Sequence, residues 1–323
     1  MAVRVDEATA KRRRLRALLA GPDLMVMPGG FSPVYAKMAE DVGFTSFFLA
    51  GSQMSGFLLG IPDNGVLGLR DIVDHARHCA ARTTIPLLLD ADTGFGNAVN
   101  VHYAVQEVVR SGVAGLQLED QEAPKKSGTL GGRRVISQSE AVGKIQAAVA
   151  ARDAIDPEFV IFARCDAIGA EGTTFDDVVA RCVAYARDGG ADVVWLNAVQ
   201  TREQLRQVCA ATPAPVLCNW WSSVEPNPTL DEYRQLGARV ALFPTFTASA
   251  GLQGAWDLLH EVKAQGPAAI DAWRERSAAG LHGAADYKRF TDHATVAEVE
   301  RQFLTAAERR DTASDKSWTK PRD

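Results

Sequence analysis

Ile85-Pro86-Leu87-Leu88-Leu89 runs directly into Asp90-Ala91-Asp92-Thr93-Gly94-Phe95-Gly96-Asn97, and the reading of that junction decides the fold. Five apolar residues stopped by turn formers read as a strand covered on both faces. In parallel α/β proteins, ligand sites lie just past the carboxyl ends of such strands. Asp90 and Asp92 are two residues apart, so on a continuing strand they project to one side. Two carboxylates held together repel and raise each other's pKa unless a cation lies between them, which points to a hard divalent ion held through oxygen and water. An isolated Asp-x-Asp-x-Gly has a second reading, in which Asp92 opens a turn and caps the next helix.

One strand and helix later, Val113-Ala114-Gly115-Leu116-Gln117-Leu118 ends in Glu119-Asp120. Carboxylates at neighbouring parallel strand ends converge, so Asp90, Asp92 and Glu119 together favour a metal over a cap. Outward from this pair the alternation repeats every ~25 to 35 residues, as βα units do. Apolar runs at 24–27, 46–50, 85–89, 114–118, 159–163, 193–196, 215–218 and 240–243 give eight strands. Helical patterns at 33–42, 69–82, 99–111, 137–152, 175–189, 202–211 and 230–236 lie between them. Ser137-x-x-Glu140 opens one, and Gly112 and Gly189 close two others. Eight short-linked units predict an α/β fold of the closed (β/α)8 TIM-barrel type; a doubly wound open sheet is weakened because no G-x-G-x-x-G follows a first strand. A helical pattern at 248–264 and further segments to Arg309 extend the barrel into one domain over 1–310, and 311–323 reads as a polar, mobile tail.

Composition narrows the function. Of 323 residues, 46% are hydrophobic and 23% charged, as in ordinary soluble domains. A formal charge of −5 with no long basic run argues against nucleic-acid or anionic-membrane partners. Five cysteines without C-x-x-C spacing fit reduced thiols in a cytoplasm. No apolar run approaches the ~20 residues of a membrane span. Lys11-Arg12-Arg13-Arg14 reads as the polar face of a first helix rather than a secretory signal. His75, His78, His260, His282 and His293 fall on helical patterns away from the strand ends, while His102 lies nearer the Asp loop. Cys165, next to Arg164, points the other way on a strand and reads as a core thiol.

Two connections exceed what a barrel needs. The segment from Gln121 to Arg134 carries Lys125, Lys126, Arg133 and Arg134 among glycines and reads either as a lid over an anionic substrate or as a solvated loop. After strand seven, Trp220-Trp221-Ser222-Ser223 supplies a wall or simple packing.

Asp90-Ala91-Asp92-Thr93-Gly94-Phe95-Gly96-Asn97, Leu118-Glu119-Asp120-Gln121, Pro124-Lys125-Lys126-Ser127-Gly128 and Ala163-Arg164-Cys165-Asp166-Ala167 resemble, in order and spacing, the signatures of the isocitrate lyase / phosphoenolpyruvate mutase superfamily. The likeness runs from about residue 15 to about 303. It implies a (β/α)8 barrel, a Mg2+ ion (Mn2+ being the alternative), a small carboxylate or phosphonate substrate, and a homotetramer whose subunits exchange the eighth helix. By matching positions, Asp90 ligates the ion directly, Asp92 and Glu119 hold it through water, and Asp63 lies beside it. Backbone at Gly51 and Ser52 with the Arg164 side chain holds the substrate carboxylate, with Asn197 and Asn219 completing the acid site. Arg suits a carboxylate through its planar fork, and an enolate formed by C–C or P–C cleavage needs fixed positive charge.

The departures are equally specific. Lyases of this resemblance carry Cys where Ser127 stands, and Glu at Asn197 and near Ser222. A serine hydroxyl is a far weaker acid than a thiol and does not replace it directly. The His and Asn/Thr-Ser pattern of the phosphonopyruvate branch is absent too. The favoured expectation is a lyase cutting a C–C bond in a 2-hydroxy di- or tricarboxylate, with Lys125, Ser127, Arg164 and Asp63 as catalytic residues. P–C chemistry on a phosphonopyruvate-like acid, 2-keto acid decarboxylation and a non-catalytic anion-binding homologue are the alternatives.

Overall fold

The eight apolar runs pair with one another in chain order. In the computed structural model, which describes residues 5–220, 224–278 and 287–309, they form β1 (Met25–Gly30), β2 (Phe47–Leu49), β3 (Leu87–Asp90), β4 (Gly115–Glu119), β5 (Val160–Cys165), β6 (Val193–Leu196), β7 (Val216–Asn219) and β8 (Val240–Phe243). All neighbours are parallel, and β8 closes on β1 with Val240 opposite Met25, so the barrel is complete. Every residue of β3, β4 and β5 is buried, which is why these runs read as continuous rather than alternating.

Alternate residues still enter different layers. Phe48, Leu88, Phe162, Trp195 and Leu217 fill the barrel interior, whereas Leu87, Leu89, Ile161, Cys165 and Leu196 join the layer between strands and helices. This alternation aims the functional side chains: Asp90 follows Leu88 by two and Arg164 follows Phe162 by two, so both face the barrel mouth. Leu116 and Leu118 face outward, leaving Gln117 and Glu119 to face in. Cys165 lies in the outer layer, where hydrogen bonding to Cys182 and burial push its thiol well above the ordinary range, as befits a core residue.

Helix Ala98–Arg110 is capped by Asn97, whose side chain accepts from Val99 N at 3.0 Å. Asp92 opens a turn without capping, and one of its two sequence readings falls away. Ser137 caps helix Gln138–Asp153, accepting from Glu140 N at 3.1 Å. After helix Phe175–Arg187 the left-handed position is Gly190, at φ 77°, one residue beyond the expected glycine.

Two elements depart from the sequence reading. Gly51–Met54 is a short helix continued by a π-helical turn, Ser55–Leu59, too brief to show apolar periodicity. The basic run of helix Val5–Ala20 is only partly a solvated face, because Lys11 and Arg12 are buried. Leu15 and Leu19 of this helix join the barrel-interior cluster, which brings Lys11 Nζ to Ala80 O (2.9 Å) and Thr83 O (2.6 Å) at the amino end of the barrel.

Contacts divide the chain into two compact units, 1–248 and 249–323. The first is the barrel with its helices. The second holds most of helix Phe246–Gln265 together with Pro267–Ala278, Tyr287–Phe290 and His293–Phe303. The tail at 311–323, His282, Trp221 and Ser222 lie outside the described residues. Among the described residues no helix is long and apolar enough to cross a membrane.

Candidate active site

At the end of β3, Asp90 is held by backbone: its Oδ2 accepts from Gly51 N at 3.0 Å and its Oδ1 from Asp92 N at 3.1 Å. The strand stops there. Asp92 has φ 48°, so the two carboxylates meet through a left-handed turn and not through the two-residue repeat of a continuing strand. Gly94, at φ 84°, sustains this bend where a Cβ would strike Val101 and Leu118 within 2.7 Å. Gly51 is required for closeness: a Cβ there would lie 3.0 Å from Asp90 Oδ2 and 3.3 Å from Asp92 Oδ1.

Two buried cations face these acids. Lys125 Nζ lies 2.6 Å from Asp63 Oδ1 and 2.6 Å from Asp92 Oδ1. Arg164 lies 3.1 Å from Glu119 Oε2 and 2.8 Å from Asp166 Oδ2. Burial lifts the Asp92 carboxyl to about 6, Asp90 and Asp63 adding to the rise and Lys125 opposing it. Burial also carries Glu119 well above the carboxylate range, against the pull of Arg164 and Lys125. For Lys125 burial acts downward, but the surrounding Glu119, Asp92, Asp90 and Asp63 outweigh it and hold the ammonium charged.

Asp63 Oδ1, Asp92 Oδ1 and Glu119 Oε2 are buried without an aligned hydrogen bond, although each touches a cation. These are ion contacts with unused acceptor capacity, and buried oxygens so placed suit a hard cation. Among the described residues no three carboxylate, imidazole or thiol groups converge as a ready-made metal cluster. The unused donors at the mouth are carboxylate oxygens, the ligand type that a hard ion such as Mg2+ takes.

The segment after β4 is folded inward. Arg133 is buried and staples it, donating to Gly128 O (2.6 Å) and Leu130 O (2.7 Å) and, through its other nitrogen, to Ile168 O. Gln121 ties its start, donating to Glu119 Oε1 (3.1 Å) and Lys126 O (3.0 Å). Gly128 packs so tightly on the strand ends that a Cβ would come within 2.0 Å of Arg164 and 2.6 Å of Asn197. Asn197 donates to Gly128 O at 3.1 Å and to Asp166.

Of the expected residues, the structure gathers Asp63, Asp90, Asp92, Glu119, Lys125, Arg164, Asn197 and Gly51 into one place. Ser127 stands aside, half-buried, its Oγ 3.3 Å from Thr129 Oγ1. Gly51 N is engaged by Asp90, and Ser52 follows it in the same short helix. Asn219 accepts from Trp195 Nε1 at 3.3 Å. His102 pairs with Gln106 on its own helix at 3.0 Å. Sequence reasoning overlooked Asp166, although its two-residue spacing from Arg164 signalled a shared face. It also left Asp120 unassigned. That carboxylate accepts from Tyr185 (2.6 Å) and from Asp166 N (2.8 Å), fixing the turn after β5 from outside the barrel.

An acid-lined mouth at the carboxyl ends of the strands, covered by a cationic segment, lies where α/β-barrel enzymes carry their active sites. Residues 15–263 match the phosphoenolpyruvate phosphomutase family, and the chain belongs to it, within the isocitrate lyase / phosphoenolpyruvate mutase superfamily of lyases and mutases. It is 37% identical over 253 residues to 2-methylisocitrate lyase of Aeropyrum pernix, covering 78% of this chain and 80% of that one. The structure of oxaloacetate acetylhydrolase with 3,3-difluorooxalacetate superposes with a TM-score of 0.79 at 30% identity, over 91% of this chain and 97% of that one. Phosphonopyruvate hydrolase in complex with oxalate and Mg++ gives 0.77 at 26%, over 91% and 99%.

Proposed function

We propose that the protein is a Mg2+-dependent lyase that cleaves a C–C bond of a small 2-hydroxy di- or tricarboxylate by a retro-aldol step. The observation that carries this reading is the pair of buried cations, Lys125 from the lid and Arg164 from β5, facing acids whose oxygens keep unused acceptor capacity. Asp90, with Asp92 and Glu119 behind water, would hold Mg2+, which supplies Lewis-acid charge for an enolate oxygen. Arg164 receives the carboxylate through its fork, exchanging its contacts with Glu119 and Asp166, and Ser52 and Asn219 complete the cradle, with Gly51 and Asn197 joining once their N–H groups leave Asp90, Gly128 O and Asp166.

The hydroxyl proton passes to Asp63. The C2–C3 electron pair then moves onto the fragment carbon beside its carboxylate, and C2 becomes the carbonyl of a 2-oxo acid. Lys125 stays charged and stabilises the departing enolate, which takes up a proton through the Ser127 hydroxyl or a water it holds. The inward lid excludes bulk water from this step.

Neutral Ser127 and Asn197, where a thiol and a carboxylate are expected, support a second reading. Decarboxylation of a 2-oxo acid needs the same enolate pocket without an initial base. One panel separates the readings. The protein is incubated with Mg2+ and 2-hydroxy acids, 2-oxo diacids and phosphonopyruvate, and pyruvate, glyoxylate, CO2 and phosphate are assayed. A 2-oxo acid released from a 2-hydroxy acid is expected; CO2 alone selects the decarboxylase, and free phosphate overturns both.

The second unit carries exposed apolar stripes: Leu252, Trp256 and Leu259 on one helix, Val296, Val299 and Phe303 on another. These stripes support burial against further copies of the chain in a tetramer. A ~35 kDa monomer by sedimentation at micromolar concentration would contradict that assembly, since obligate interfaces bury ~2,000 Å2 or more.

A further inference from the structure

Trp195 stands opposite Arg164 in the β5–β6 register and faces the barrel interior as the last apolar side chain of β6 beneath the mouth. Three contacts fix it. The Arg164 guanidinium carbon lies 4.9 Å from its ring centroid, Phe48 meets the ring edge-on at 5.4 Å, and its Nε1 donates to Asn219 Oδ1 at 3.3 Å. Arg164, Trp195 and Asn219 are all buried.

An indole N–H can only donate, so an amide bonded to it must turn its oxygen toward the indole and its NH2 away. Among the described residues the Asn219 amide nitrogen meets no hydrogen-bond acceptor. The ring face, meanwhile, restrains the guanidinium plane by cation–π attraction. One side chain on β6 thus sets the orientation of two donors, Arg164 and Asn219, on the strands to either side of it.

We propose that Trp195 is a positioning residue that makes the site selective for an acid with two carboxylates, presenting Arg164 to one and the Asn219 NH2 to the other. This deepens the reading of the site given above and rests on Arg164 and Asn219 holding the acid. Diacids long enough to span both donors gain from it; the two-carbon diacid oxalate, which reaches only one, does not.

Trp195→Phe keeps a ring over Arg164 and deletes only the N–H, whereas Asn219→Ala removes the donor itself. Calorimetric titration in Mg2+ buffer with succinate and with oxalate reads binding without turnover, so failure of the lyase assay and failure of this inference are distinguishable. Each variant is expected to weaken succinate by about 10-fold, the scale of one hydrogen bond to a charged group, with oxalate changed by less than about 2-fold. The double variant should bind no more weakly than Asn219→Ala, because both changes remove one contact. Trp195→Leu, which also strips the ring from Arg164, should weaken both acids. Three results would each overturn the proposal: succinate bound by the parent no more tightly than by Trp195→Phe, equal weakening of both acids in Trp195→Phe, or additive losses in the double variant.

Discussion

Two clusters of buried charge occupy opposite ends of the barrel, and they are completed differently. At the amino end, Arg12 donates to Val113 O (3.2 Å), Val109 O and Asp156 Oδ2 (2.6 Å). Asp156 also accepts from Thr9 (2.6 Å) and Glu158 N (3.0 Å). No atom of Lys11, Arg12 or Asp156 is left buried without a partner. At the carboxyl end, atoms of Asp63, Asp92, Glu119, Arg164 and Asp166 all lack aligned hydrogen bonds. Ion pairs that only hold a fold are closed with backbone carbonyls and leave nothing over. The carboxylate oxygens left open at the mouth are where the proposed metal and acid would bind.

That contrast breaks first at Asp90. Asp90→Ala is expected to lower turnover by ~1,000-fold or more and to abolish the rise in melting temperature that Mg2+ produces, with the circular dichroism spectrum unchanged. Undiminished stabilisation by Mg2+ would remove Asp90 from the metal site. Arg12→Met should do the reverse, destabilising the fold by ~3 kcal/mol in urea while kcat and KM stay near parental values. A normal unfolding midpoint in that variant would show the amino-end cluster to be dispensable.

Smaller changes sharpen the contrast within the mouth. Ser127→Ala should slow turnover by ~10- to 1,000-fold with KM little altered. Ser127→Cys should retain or raise lyase activity if the lid descends from a thiol-bearing lyase. Equal rates for the parent and both variants would take the serine out of the chemistry.

The smallest effect is a pH dependence. Asp92, at about 6 in the fold against an ordinary 3.8, binds a proton more readily folded than unfolded. Its contribution is therefore a penalty of about 3 kcal/mol above pH ~6 that fades as the pH falls toward ~4, about 1 kcal/mol of it between pH ~7 and ~5. Metal-free protein should gain stability from this group between pH 7 and 5, and Asp92→Asn should flatten that segment of the profile. A profile identical to the parent's would assign the change to another group.

The barrel was legible because eight strands covered on both faces must be apolar throughout, and that leaves a mark in any sequence. The inward aim of Asp90, Glu119 and Arg164 was legible for a related reason: alternation continues to the strand ends. The buried Lys11 and Arg12 were not, since their acceptors are carbonyl oxygens of distant segments that no side-chain pattern records. Nor was the division of labour among the lid cations. Lys125 enters the acid cluster, Arg133 binds the lid's own backbone, and Arg134 pairs with Glu171 at 2.9 Å; composition alone reads all three alike, and only the family resemblance singles out Lys125.

The Arg133 staple also bears on how fast the site can open. Two of its bonds, to Gly128 O and Leu130 O, lie inside the lid, while the third, to Ile168 O, crosses to the barrel. Release of the segment must break that bond together with those from Asn197 to Gly128 O and from Glu171 N to Arg133 O, but it can keep the inner two, so the segment can swing as a preformed piece about its ends. Ordering a loose chain costs ~1 to 2 kcal/mol for each residue frozen. A hinged piece escapes most of that penalty each time it closes, and its hold on the barrel reduces to a short set of contacts: Arg133 to Ile168 O, Asn197 to Gly128 O, Glu171 N to Arg133 O and the Lys125 ion pairs.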